Sequence, residues 1–207
     1  MEVIIIDNIK QRGRKSKHSN YYSINDILSV LNRESIKKIY LVYPHDNKAD
    51  IQSIKREPKF ETIVLDDHDK SLNDLGLISK INTIIEKYGI RDDLMIITQN
   101  INTNINFNPI LDYFEATRKP VMLLKKVNKS AISRHTVVSI NKDNIITNIT
   151  EHAVKPQSSL TSAGVYFIPH DAIFWIKKIS NSGADKTSMD LFMKRLMQKR
   201  KVRGIVI

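Results

Sequence analysis

LMIITQNINTNINFNPILDYFEATRKPVMLLKKV, residues Leu94–Val127, decides how the chain is read. It opens on the apolar run Leu94–Thr98, too short for a helix and without polar alternation, which predicts a strand covered on both faces. The amide-rich segment 99–104 follows as a loop. Pro109 then stands in the first turn of the helix predicted over Pro109–Thr117, where its missing N–H costs nothing. Beyond Pro120, Val121–Val127 is again a strand.

The same alternation runs outward from this segment. Towards the amino terminus, strands are predicted at Val3–Ile6, Lys38–Tyr43 (stopped by Pro44) and Glu61–Leu65. Between and after them lie helices at Asn25–Leu31, with Asp26 near its start, and Leu75–Tyr88. The second helix carries Leu77, Ile78, Ile81, Ile84 and Ile85 on one face and stops at Gly89. Strands alternating with helices of this size indicate crossover units and a largely parallel sheet. After Pro120 the pattern changes. Thr136–Ile140, Ile145–Ile149 and Gly164–Ile168 are strands with little helix between them, and Lys142-Asp143-Asn144 reads as a hairpin turn. Helices at Asp171–Ile179 and Ser188–Arg200 lead to a last strand, Val202–Ile207. Trp175 shares an apolar face with Ile173, Ile176 and Ile179 and reads as core. No repeat or linker interrupts the pattern, so the expectation is one α/β domain over residues 1–207. Its sheet is Rossmann-like and mostly parallel, with a mixed second half.

Composition narrows the chemistry. The chain has no cysteine, which removes disulfides, thiolate zinc sites and a cysteine nucleophile. No apolar run approaches the ~20 residues of a membrane helix. The start, Met1 to Asp7, has an acid at position 2 and reads as a strand rather than a signal peptide, so a cytoplasmic protein with no membrane partner is expected. A net charge of +11 attracts polyanions of any kind, although a composition rich in Lys would yield the same surplus.

In parallel sheets, ligands sit beyond the carboxyl ends of the strands, where strand order reverses. The loop after the first strand gathers Lys10, Arg12, Arg14, Lys15 and Lys17 around Gly13. Guanidinium forks, ammonium groups and backbone amides of that kind suit a phosphate chain, and a solvated basic loop is the other reading. Asp7, at the end of the first strand, is either a metal ligand or a turn former. The loop after Thr98 offers Gln99 and Asn100, amides where a magnesium site wants carboxylate. Asp66-Asp67-His68-Asp69 resembles a metal cluster but equally reads as helix-capping acids. His18, His45, His68, His135, His152 and His170 show no metal-ligand spacing, and no Gly-x-Ser-x-Gly or Walker loop is present.

The order of these pieces resembles the sugar-1-phosphate nucleotidyltransferases, which include ADP-glucose pyrophosphorylase. The likeness lies in Leu94–Val127, in the hairpin TVVSINKDNIITNITEHAVKP (136–156) and in SAGVYFIPHDAIFWIKKI (162–179). It implies a nucleotide-binding sheet of the glycosyltransferase-A kind. Residue by residue, it implies that Gly13-Arg14 alone echo the family's glycine-rich opening loop. Gly76 stands for the base-binding glycine and His135-Thr136 for a sugar-contacting Tyr-Gly. Glu151 and Lys155-Pro156 match the sugar and phosphate contacts with three residues inserted, and Gly164 is kept. The metal-binding Asp corresponds to Asn100, and a second such Asp would lie beyond Ile207. The stretch Asn102–Phe107 looks closest to the non-catalytic partner subunit of ADP-glucose pyrophosphorylase.

The expected function follows from that pattern. The chain is read as a catalytically impaired nucleotidyltransferase-fold protein that binds a nucleotide, a phosphosugar, a protein partner or a second copy of itself, with no metal or other cofactor. The alternative is a divergent active transferase using Mg2+ with Asp7 as ligand. A basic nucleic-acid-binding protein is the third reading, disfavoured because no stacking aromatics interleave the cations of residues 194–203.

Overall fold

The computed structural model describes residues 1–6, 24–31, 33–43, 61–66, 72, 75–98, 105–128, 132, 136–151, 153, 156–182 and 188–207. Nine strands among them form one sheet: β1 (Glu2–Ile6), β2 (Lys38–Tyr43), β3 (Glu61–Asp66), β4 (Leu94–Ile97), β5 (Val121–Lys126), β6 (Val137–Ile140), β7 (Ile146–Thr150), β8 (Leu160–Ile168) and β9 (Arg203–Val206). The described helices are α1 (Ile24–Val30), α2 (Leu77–Tyr88), α3 (Asn108–Thr117), α4 (Phe174–Ser180) and α5 (Met189–Met197). None is long and apolar enough to cross a membrane.

Strand order is β3-β2-β1-β4-β8-β5-β9, with β6 pairing both β8 and β7 off this path. The first half is parallel, β1 pairing β2 and β4, and β2 pairing β3. β8 then runs antiparallel between β4 and β5, and β9 returns parallel to β5. The mixed second half read from the sequence is therefore β8 with the β6–β7 hairpin.

Covering both faces of the sheet explains its unbroken apolar runs. Ile4, Ile6, Ile96, Met122 and Tyr166 point to the layer that holds α2, α4 and α5. Their chain neighbours Val3, Ile5, Met95, Val121 and Phe167 point to the layer that holds α1 and α3. In the second layer Phe114 of α3 lies with its ring 5.4 Å from that of Phe167. Both rings are fully buried, and cutting either to alanine would cost about 3–5 kcal/mol. α2 ends where the sequence predicts, because Gly89 takes a left-handed φ of 64° and its N–H closes on the Ile85 carbonyl.

Most elements shift by one to three residues from expectation, and two of the differences change the reading. β8 begins at Leu160, four residues before Gly164. Thr161 and Ser162 interrupt the apolar pattern, but tertiary pairing recruits them: Thr161 registers with Lys125 and Ser162 with Leu124. The helix expected from Asp171 is split into a 3-10 turn, His170–Ala172, and α4, which starts at Phe174. The hairpin turn is as read. Asn141 Oδ1 accepts from the N–H groups of Asp143 and Ile145 at 3.0 and 2.9 Å, and Asn144 is left-handed.

A charged clasp closes the amino end of the parallel strands. The Glu2 N–H donates to the Asp93 carbonyl at 2.9 Å, tying β1 to β4. The Asp93 carboxylate is buried, pairs with Arg118 and accepts the His170 N–H at 2.9 Å. Beside it, Asp92 takes the α-amino group of Met1 at 3.3 Å and Lys37 at 2.8 Å. The Lys37 hydrogen bond, helped by the charge of the chain terminus, holds the Asp92 carboxyl below its ordinary range.

Candidate ligand-binding rim

At the opposite end of β4 the polar groups form a relay. Thr98, directly after β4, gives its N–H to the Gly164 carbonyl at 2.8 Å, and its hydroxyl approaches the same oxygen at 3.4 Å. Gly164 sits in β8 with φ 78°, a conformation that disfavours any side chain. Its own N–H donates to Ser162 Oγ at 3.0 Å. Ser162 Oγ lies 2.8 Å from the Tyr166 hydroxyl, which donates to Asp190 Oδ1 at 2.7 Å. Because the carboxylate can only accept, the Tyr166 proton points to Asp190, and Ser162 must donate to Tyr166. The direction is therefore fixed along the whole run, from the Gly164 amide to Asp190, and each bond polarises the next.

Asp190 lies in the first turn of α5, where the helix dipole favours negative charge. Ser188 caps that helix, its Oγ accepting the Leu191 N–H at 3.1 Å. The same hydroxyl donates to Glu151 Oε1 at 3.1 Å. Tyr166 is fully buried, and removal from water is the main reason its hydroxyl is pushed well above the ordinary tyrosine range, with the Asp190 charge adding to the effect. It stays neutral and serves as a donor.

Of the residues singled out in the sequence, Glu151 and Gly164 are thus brought onto one framework. They meet through Ser188, α5, Asp190 and Tyr166 rather than by direct contact. Gly76 stands on a separate element, at the N-cap of α2 with φ −65°, a value that does not itself demand glycine. Asp7, Arg12, Arg14, Lys15, Asn100, Lys155, His135 and the acids Asp67 and Asp69 lie outside the described residues. Ser162, Tyr166, Ser188 and Asp190 were not picked out by sequence reasoning, and Thr98 only as the hydroxyl at the start of the amide-rich loop. Hydroxyls spaced along an apolar strand carry no motif, and only the fold aims them at one another.

The sequence matches no protein-family model and no curated protein. Its structure is similar to a Bacillus anthracis protein described as a glucose-1-phosphate thymidylyltransferase, crystallised in complex with sucrose. The TM-score is 0.74 at 16% identity, over 100% of this chain and 86% of that one. The fold is that of the sugar-1-phosphate nucleotidyltransferases. On this nucleotidyltransferase fold the relay lies at the carboxyl end of β4, the place for ligand expected from the sequence.

Magnesium, which the fold family implies, calls for hard anionic oxygen. The residues that follow Thr98 are Gln99 and Asn100, neutral amides, and the Thr98 hydroxyl already faces the Gly164 carbonyl. Among the described residues no group of three His, Asp or Glu side chains could hold a metal ion. Two neutral amides directly after β4 offset none of the charge of a divalent cation bridging phosphates.

Proposed function

We propose that this chain is a nucleotidyltransferase-fold protein that binds a nucleotide or a sugar phosphate at the carboxyl rim without metal-dependent transfer. Its output is then the liganded state itself, presented to a protein partner or a second copy. In this it parallels the non-catalytic partner subunit of ADP-glucose pyrophosphorylase. The observation that carries the reading is the full-length fold likeness combined with amides, in place of carboxylate, directly after β4. Phosphoryl transfer is accelerated almost entirely by positioning and charge stabilisation. Losing one such interaction typically costs about 3–4 kcal/mol of barrier. Losing the metal ligand and the glycine-rich clamp together removes useful turnover while leaving a shaped site.

In this reading Arg12, Arg14, Lys15 and Lys155 hold phosphate, Gly76 lies against the base, and Glu151 and Gly164 face the sugar. Calorimetry should detect binding of a nucleoside triphosphate or a sugar 1-phosphate. The same mixture with magnesium should release no pyrophosphate, and steady turnover would end the proposal.

One observation favours a divergent active transferase. The β1–β4 register, with Ile5 beside Ile97, lays the ends of these strands together, and Asp7 is the first acid after β1. A magnesium-dependent gain in nucleotide affinity that vanishes in Asp7→Asn would establish that alternative.

A further inference from the structure

A cavity of about 310 Å3 lies between α4 and the C-terminal half of α5, outside the rim described above. Ile179 and Leu196 supply apolar lining, Trp175 lines it as well, and Lys178, Arg195 and Lys199 surround it. No acid lines it. Nearby cations are neutralised elsewhere, Lys177 by Glu86 at 2.8 Å and Arg200 by Asp171 at 2.7 Å. Among the described residues Lys178, Arg195 and Lys199 have no such acidic partner. Lys178 Nζ instead rests 4.9 Å from the centre of the Trp175 ring. Helix dipoles favour basic last turns on α4 and α5 separately. They do not account for three cations from α4, α5 and the turn after α5, without an acidic partner among the described residues, meeting at one hollow.

We propose that this cavity binds an oligophosphate group, free or as the tail of a nucleoside triphosphate. Three cations answer the charge of a phosphate chain, Arg195 through a two-pronged guanidinium fork and the lysines as point charges. The apolar lining lowers the local dielectric and strengthens those contacts. The volume is at the small end for ligand pockets, suited to a phosphate chain more than to a large organic ligand. A nucleic-acid strand would want a track of stacking aromatics. Here Trp175 is already covered by Lys178 and by Phe174, whose ring is 4.7 Å away. The inference is independent of the transferase reading.

Trp175 is the chain's single tryptophan, so its emission reports on this cavity. Tripolyphosphate and ATP are titrated separately into the full chain, into Lys178→Gln and into the Arg195→Gln/Lys199→Gln double variant. All three side chains are exposed, so both variants should melt like the parent; Lys199→Gln alone serves if the double variant does not. The expected result is a saturable emission change at one equivalent, weakened roughly tenfold or more in each variant, as loss of a charge-assisted hydrogen bond implies. Equal affinity for both probes assigns recognition to the phosphate chain, and tighter ATP binding makes the nucleotide the ligand. The proposal is overturned if sodium chloride or sulfate at matched ionic strength gives the same response. It is also overturned if affinity is unchanged in the variants, which places binding elsewhere, or if only an RNA oligomer binds.

Discussion

At its amino end β4 is fastened to the turn after β8 by charge; at its carboxyl end it is fastened to β8 by hydroxyls. The Asp93 clasp pairs a buried carboxylate with Arg118 and a backbone amide. The Thr98–Gly164–Ser162–Tyr166–Asp190 relay is neutral until its last member and depends on a left-handed glycine. Two networks of similar extent bridge neighbouring strands, yet only one borders loops expected to hold a ligand. The difference teaches that ion pairs join the elements at one end of β4, whereas buried, aligned hydroxyls join them at the end where a ligand is proposed.

Removing Asp93 should break the comparison most visibly. Asp93→Ala orphans the His170 N–H and the Arg118 guanidinium, and because Arg118 is half exposed it rehydrates in part, so the loss should be about 2–3 kcal/mol. Chemical denaturation measures it, and ligand affinity at the far rim should be unchanged. Gly164→Ala should cost less, about 1–2 kcal/mol for forcing a side chain into left-handed backbone. Unlike the Asp93 change, it should also weaken sugar-phosphate binding, read by calorimetry.

Tyr166→Phe should cost about 1 kcal/mol for the lost hydrogen bond at neutral pH, with a sharper effect in alkali. A tyrosine held neutral in the fold but free to ionise once unfolded binds more protons in the native state. Stability therefore falls as pH rises past the ordinary tyrosine range, near ~10. Melting temperature against pH should fall less steeply there in the phenylalanine variant. The smallest effect belongs to Asp92. Its lowered carboxyl adds stability above the ordinary carboxylate range that is lost as pH falls through the folded value, and Asp92→Asn should flatten only that acid limb.

Much of the sheet was legible beforehand because its strands are apolar runs bounded by polar turns, as in KIYLVY at Lys38–Tyr43. Leu160–Ala163 was not, since a strand containing Thr161 and Ser162 is recognised only by its partners β5 and β6. Glu151 and Gly164 were picked out through a family resemblance. Their shared framework through Ser188 and Asp190 spans residues far apart in the chain, and no local pattern encodes such an encounter.

The sequence by itself determined most of the described strands and helices, and which residue types stand after each strand. Periodicity and side-chain chemistry are local properties, so Gln99-Asn100 offer amide oxygens rather than carboxylate directly after β4 whatever surrounds them. Tertiary structure alone decided that Tyr166 donates to Asp190, that Asp93 is locked by Arg118, and that Lys178, Arg195 and Lys199 meet beside Trp175. Burial, hydrogen-bond direction and charge pairing depend on groups that chain order leaves far apart and only packing brings together.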